Sequence, residues 1–148
     1  MTVNINSVRR RLGLILDYLS EIRPLTLMSL DKFLSDRYLL RAAERLLEIT
    51  IQAALDINIH LLKELSQTAK QSNADSFLEV SRIGAITPEL AQLLSDSGKF
   101  RNRLAHRYDE IDYEVVFLVL SEVLGQYPLY VEQVEDFVDS LEVVDDES

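Results

Sequence analysis

Cysteine is absent from this chain of 148 residues. Its absence excludes a disulfide framework, a thiolate zinc site and a thiol nucleophile. Histidine is nearly absent too: His60 and His106 are the whole supply, too few for a histidine-rich metal site within one chain. Three prolines and four glycines leave the chain with little punctuation, and no Gly-rich phosphate loop or internal repeat is present. No stretch approaches the roughly 18 uninterrupted apolar residues of a membrane span. The start, Met1 to Ser7, lacks the basic-then-apolar layout of a signal peptide. The expectation is a soluble cytoplasmic protein. The length suits a single domain over 1–148, able to bury a core without cross-links.

Positive charge is also missing from one end. The net charge is −10, but residues 1–107 hold all 15 Lys and Arg against twelve acids, whereas residues 108–148 hold thirteen acids and no base. The total counts against broad non-specific nucleic-acid binding, which relies on cations meeting phosphates, yet leaves room for a local basic site in the first part. The acidic end, "VEDFVDSLEVVDDES", reads as a solvated helix face running into a flexible tail from about 141 to 148. Docking of a basic partner there is the minority reading.

What is abundant is Leu, Ala, Glu, Ile and Arg, which favours an all-α chain. Val8, Leu12, Ile15, Leu16 and Leu19 fall at helical spacing and predict a first helix from about Asn6 to Glu21, closed by Pro24. A long second helix begins near Ser29 or Asp36 and runs to Leu65. Its apolar positions, with Ala42, Ile49, Ala53 and Ile57 added to the main stripe, cover more than one partner helix needs. Such a helix is either central to its own bundle or shared with a second subunit, and Leu47→Glu should then give inactive monomers. Ser66 to Ser76 reads as a loop, followed by a short helix from Ser76 to Ile83. Thr87 as N-cap and Pro88 at the first helical position open the next helix. Asp112 can cap a last one through "YEVVFLVLSEVL", apolar nearly all round and so expected to be buried. Gly125 and Pro128 should break or kink it before an acidic amphipathic stretch, Tyr130 to Val138. The fold class is an up-and-down helical bundle of about five helices.

One segment stands out against the acidic background: "FRNRLAHRYDE", Phe100 to Glu110, gathers Arg101, Arg103, His106 and Arg107. Cutting RNA without metal requires deprotonating a 2′-hydroxyl, stabilising the scissile phosphate and protonating the departing 5′-oxygen. Histidine suits the proton transfers, arginine suits the phosphate, and Asn102 can orient either. At about 100° per residue, Arg101 and His106 lie about 140° apart on a straight helix. Either the helix loosens before "HRY", or two copies of the motif face one another across a dimer. His106 and Tyr108 share a face only if the backbone there is extended. A plain alternative stands beside this: basic residues at a helix C-terminus stabilise its dipole by about 0.3–1 kcal/mol each and need no function. His60 reads as structural, and Arg9 to Arg11 as a solvated face, with RNA guidance the lesser option.

Arg101-Asn102-Arg103-Leu104-Ala105-His106-Arg107-Tyr108 matches the RX4HXY motif of the HEPN superfamily. "DRYLLRAAERLLEITIQAALDINIHLL" resembles the long helix of its HepT-like toxins. The resemblance covers about residues 5 to 140. It implies a dimeric, metal-independent, cofactor-free endoribonuclease toxin of a prokaryotic toxin–antitoxin pair, cutting mRNA or tRNA in a cleft that holds two motifs. By that resemblance Arg101 holds the phosphate, His106 is the acid/base and Asn102 orients. It also implies a nucleotidyltransferase antitoxin, MntA, which silences the toxin by adding AMP to Tyr108. The added negative charge would occupy the place of the RNA phosphate. Arg103 and Arg107 are candidates for RNA or antitoxin contacts.

Two other classes stay open: a non-catalytic scaffold of a nucleotidyltransferase, and a transferase substrate with no enzyme role of its own. Loss of cutting on His106→Ala separates the nuclease from both.

Overall fold

The computed structural model describes residues 2–66, 73–106 and 111–147. They form six helices: α1 (Ile5–Thr26), α2 (Leu30–Ser35), α3 (Arg37–Leu65), α4 (Asn73–Arg82), α5 (Pro88–His106) and α6 (Tyr113–Glu147). The sixth helix arises because both proposed starts of the long helix are used. Ser29 caps α2, accepting from the Lys32 N–H at 3.1 Å, and Asp36 caps α3, accepting from Tyr38 and Leu39 at 2.9 and 3.3 Å. Ser66 closes α3, and α4 begins three residues earlier than Ser76. Gly84, at φ +92°, ends the α4 turn with its N–H on Ser81 O and the Ala85 N–H on Val80 O. This pair of bonds is the helix-ending pattern that favours glycine.

Two of the expected helix ends do not occur. Pro24 lies inside α1, which continues to Thr26. The proline removes one hydrogen bond near the end of the helix, where the following turn buries Leu25. Pro128 and Gly125 likewise lie inside an unbroken α6 of 35 residues. A proline in a helix interior costs about 3 kcal/mol. Beyond it, however, Tyr130, Val131, Val134 and Val138 are all buried, each contributing about 1.5–3 kcal/mol. Packing outweighs the local penalty.

α3 is the axis of the bundle, with every other helix packed on it or on its neighbours. Ala43, Leu47, Ile51, Ala54, Leu55, Leu61 and Leu62 are buried along it, and the extra positions Ala53 and Ile57 are buried too. Most of the wide stripe is therefore covered within one subunit, although Ala42 stays exposed and Ile49 half-buried. Leu47 in particular has no exposed surface.

α6 departs from expectation in the opposite direction. Val116, Leu120 and Val123 are buried, but Val115 and Leu118 are exposed, Leu118 by 63%. Only one face of this apolar segment is covered. By length and composition α6 could cross a membrane, yet its inner face packs on α1, α3 and α5 as a core helix. Leu16 on α1, placed inward from its spacing, also faces out, as does Ile59 on α3.

Arg9 is not a solvated charge. From α1 it reaches Asp139 at 2.6 Å, Glu142 at 2.9 Å and Glu135 at 3.3 Å, all on the acidic end of α6. These bonds hold its guanidinium firmly protonated. α6 remains helical through the expected tail as far as Glu147. His60 is structural as read, its Nε2 accepting the Asn4 N–H at 2.9 Å.

Leu47→Glu places an unpaired carboxylate at the centre of the core. The expected outcome is an unfolded or insoluble chain, seen as loss of helical circular dichroism; a folded, soluble monomer would show that this site can be opened without collapse.

Candidate active site

α5 carries the motif, and its position is set at three levels. At its start the Thr87 hydroxyl accepts from the Leu90 N–H at 3.2 Å, and the Thr87 N–H donates to Gln133 of α6 at 2.8 Å. In the middle, buried Ser97 gives its hydroxyl proton to Leu94 O at 2.6 Å and meets the Tyr127 hydroxyl at 2.7 Å. With the serine proton committed, Tyr127 is the donor. One turn further on, Phe100 and Leu104 are buried. The rotation of α5 is thus fixed by a polar contact one turn ahead of Arg101.

Arg101 is half-buried. Its Nε is shut off from water and has no hydrogen-bond partner among the described residues. A buried donor left unmade costs about 1–3 kcal/mol, more on a charged group. Such a group is poised to accept an anion. Asn102 beside it is also half-buried. Arg103 is exposed and lies over the Phe100 ring, 5.8 Å from its centre.

The backbone stays helical through His106, its last residue. The backbone therefore does not loosen ahead of the histidine, so the first of the two alternatives read from the spacing does not occur. The His106 imidazole, with all of Arg107 and Tyr108, lies outside the described residues.

Beside the motif is a cleft of about 240 Å³, lined by Phe100, Arg103, Leu104, Ile111, Asp112, Val115 and Val116. Its far wall is the start of α6, held by two devices. Asp112 caps the helix, accepting from the Glu114 N–H at 3.0 Å. Tyr113 donates to Glu44 of α3 and accepts from Arg41 at 3.3 Å. Burial first, and then the Glu44 hydrogen bond and charge, raise the Tyr113 pKa above its ordinary value; Arg41 pulls the other way. The Arg41–Glu44–Tyr113 bridge was not read from the sequence. Glu44 lies on the same helix face as Arg37 and Arg41, and nothing in the local sequence names Tyr113 as its partner.

The ribonuclease HepT-like family profile matches residues 15–140. The chain belongs to that family. A tRNA nuclease HepT from Aphanizomenon flos-aquae is 40% identical over 139 residues, covering 94% of this chain and 95% of that protein. A putative RNase from Archaeoglobus fulgidus is 33% identical over 95 residues, covering 63% and 70%. Among solved structures, a toxin–antitoxin complex with AMP-PNP contains a chain that superposes with a TM-score of 0.79 at 20% identity, over 88% of this chain and 98% of that one. A tri-AMPylated HEPN toxin of Shewanella oneidensis, in complex with an MNT antitoxin, gives 0.78 at 21%, over 92% and 99%. At those identities the structures establish a shared fold. Family membership makes this HepT-like chain an endoribonuclease.

Tyr127 and Tyr130 hold α6 against the helices around it, and burial raises both their pKa values above the ordinary 10.0, with the Ser97 hydrogen bond opposing the rise at Tyr127. The unfolded chain loses these protons at the ordinary value while the folded chain keeps them. The stabilisation is therefore complete below about pH 10 and falls above it. Melting temperatures should hold to about pH 9 and then drop, less steeply in Tyr127→Phe; equal slopes for both proteins would remove Tyr127 as the cause.

Proposed function

We propose that this HepT-like ribonuclease is the toxin of a toxin–antitoxin pair, cutting RNA by metal-independent transesterification in a cleft shared by two copies. The observation that carries the reading is Arg101: a guanidinium with a buried, unpartnered Nε on the helix that ends at His106. Arg101 holds the scissile phosphate and Asn102 orients it. A His106 imidazole takes the 2′-hydroxyl proton, the oxygen attacks phosphorus, and a protonated imidazole returns a proton to the leaving 5′-oxygen. Two proton transfers with one motif histidine per chain favour a pair of motifs. Val115 and Leu118, exposed on α6 beside the cleft, offer apolar surface for a second copy to cover.

A 40% identical relative named for tRNA supports tRNA as the substrate class, and a tRNA-cutting activity would be a cytoplasmic one. The neighbours' MNT antitoxin and AMPylated state support a nucleotidyltransferase partner acting here on Tyr108. AMP at that position adds negative charge beside the phosphate site and excludes RNA.

Native protein should cut deacylated tRNA in excess EDTA, with His106→Ala slower by about 10²-fold or more. Equal cutting by both proteins would overturn the role of His106. Incubation with the transferase and ATP should add AMP mass to the native chain and none to Tyr108→Phe; an equal gain in both would move the modification elsewhere.

A further inference from the structure

The cations outside the motif are not equally available. Arg9 is bound by three acids, Arg11 by the Ser7 hydroxyl and Arg82 by Glu79. On the first turns of α3 the situation differs. Arg37, Arg41 and Arg45 recur every four residues, so they form one stripe with about 6 Å between successive positions along the axis. All three are exposed, and the side chains of Arg41 and Arg45 are 66% and 69% open. Each of those two touches an acid only at 3.5 and 3.4 Å, within its own helix face, the kind of exposed pair that contributes little and exchanges readily. Arg37 has no ion-pair partner among the described residues. The nearest acid, Asp36, is occupied in capping the helix.

Within this stripe stands Tyr38, 87% exposed. A tyrosine that open covers nothing in its own subunit. Beside three arginines it is an aromatic face offered to solvent in a positive field. The stripe is also continuous with the cleft: Arg41 reaches the Tyr113 hydroxyl, and Tyr113 follows Asp112 in the cleft wall.

We propose that Arg37, Arg41 and Arg45, with Tyr38 as a stacking surface, form the track on which a single-stranded RNA segment lies as it enters the cleft. Phosphates of an extended strand pair with the arginines, and a base stacks on the Tyr38 ring. This rests on the nuclease reading and names how that site gathers its substrate. It also accounts for RNA binding by a chain of net charge −10, since the cations lie in one line on one face.

The test uses a 5′-fluorescein RNA of about 20 nucleotides, bound to full-length His106→Ala protein so that binding is read without cutting. Arg37→Gln with Arg45→Gln leaves the Arg41–Tyr113 contact alone and should preserve the helical melt. Binding should weaken about tenfold, and the slope of log K against log salt should become shallower by about 1.4, or 0.7 per lost contact. Tyr38→Ala should weaken binding about tenfold while Tyr38→Phe retains it. In the cutting-competent protein the arginine changes should raise KM and leave kcat within about twofold. If native protein cuts RNA but the variants bind and cut like it, the track is overturned and the nuclease stands. If native protein neither binds nor cuts, both readings fall. Unchanged RNA affinity with loss of the nucleotidyltransferase from a pull-down would make the stripe a protein-docking surface and refute the track.

Discussion

A buried tyrosine hydroxyl must have a partner, and in this bundle that requirement sets the positions of the helices. Tyr130 is wholly buried and donates to Asn58 Oδ1 at 2.6 Å, with Ala54 O at 3.1 Å. Asn58 in turn donates to Ser76 of α4 at 3.1 Å. One turn earlier on α6, Tyr127 meets Ser97 of α5. Apolar packing among α3, α4, α5 and α6 would tolerate small slides and rotations. The hydroxyl partners do not, because an unmade bond there carries the full desolvation penalty. The roll of α5, and so the direction of Arg101, follows from α6 being seated correctly.

Much of this was legible. The caps at Thr87 and Asp112 are short-range chemistry, written in four adjacent residues, and both occur; Ser29 and Asp36, read as alternative starts of one helix, each cap a helix of their own. The central role of the long helix follows from its over-wide stripe. What failed were inferences in which a local rule met tertiary packing. Pro24 was read as an end and Pro128 as a break or kink, but both helices continue past them, with buried residues following each. Leu118 was placed inside because its neighbours are apolar; periodicity cannot tell a face covered by its own chain from one left open.

The site shows the same division. Arg101, Asn102 and His106 were singled out by residue type and motif spacing, and the structure adds the buried Arg101 Nε with no partner among the described residues. The Glu44–Tyr113–Arg41 bridge joins residues 69 and 72 positions apart, and nothing local marks them as partners. Arg9, one of three successive arginines, was read as solvated because its three acids lie more than 120 residues away. The charge division of the chain takes on a structural meaning here: part of the acidic end exists to hold the first helix.

That tie joins the first helix to the last, with Arg9 and Glu142 lying 133 positions apart. On a ribosome adding about 5–20 residues per second, α1 waits roughly 7 to 27 s after its synthesis before its charged partners emerge. During that interval the Tyr127–Ser97 contact is also unmade, and the helix carrying Arg101 lacks one of the contacts that fix its rotation. The contacts that join the first helix to α6 and seat α5 on it are therefore the last of the bundle to form during synthesis.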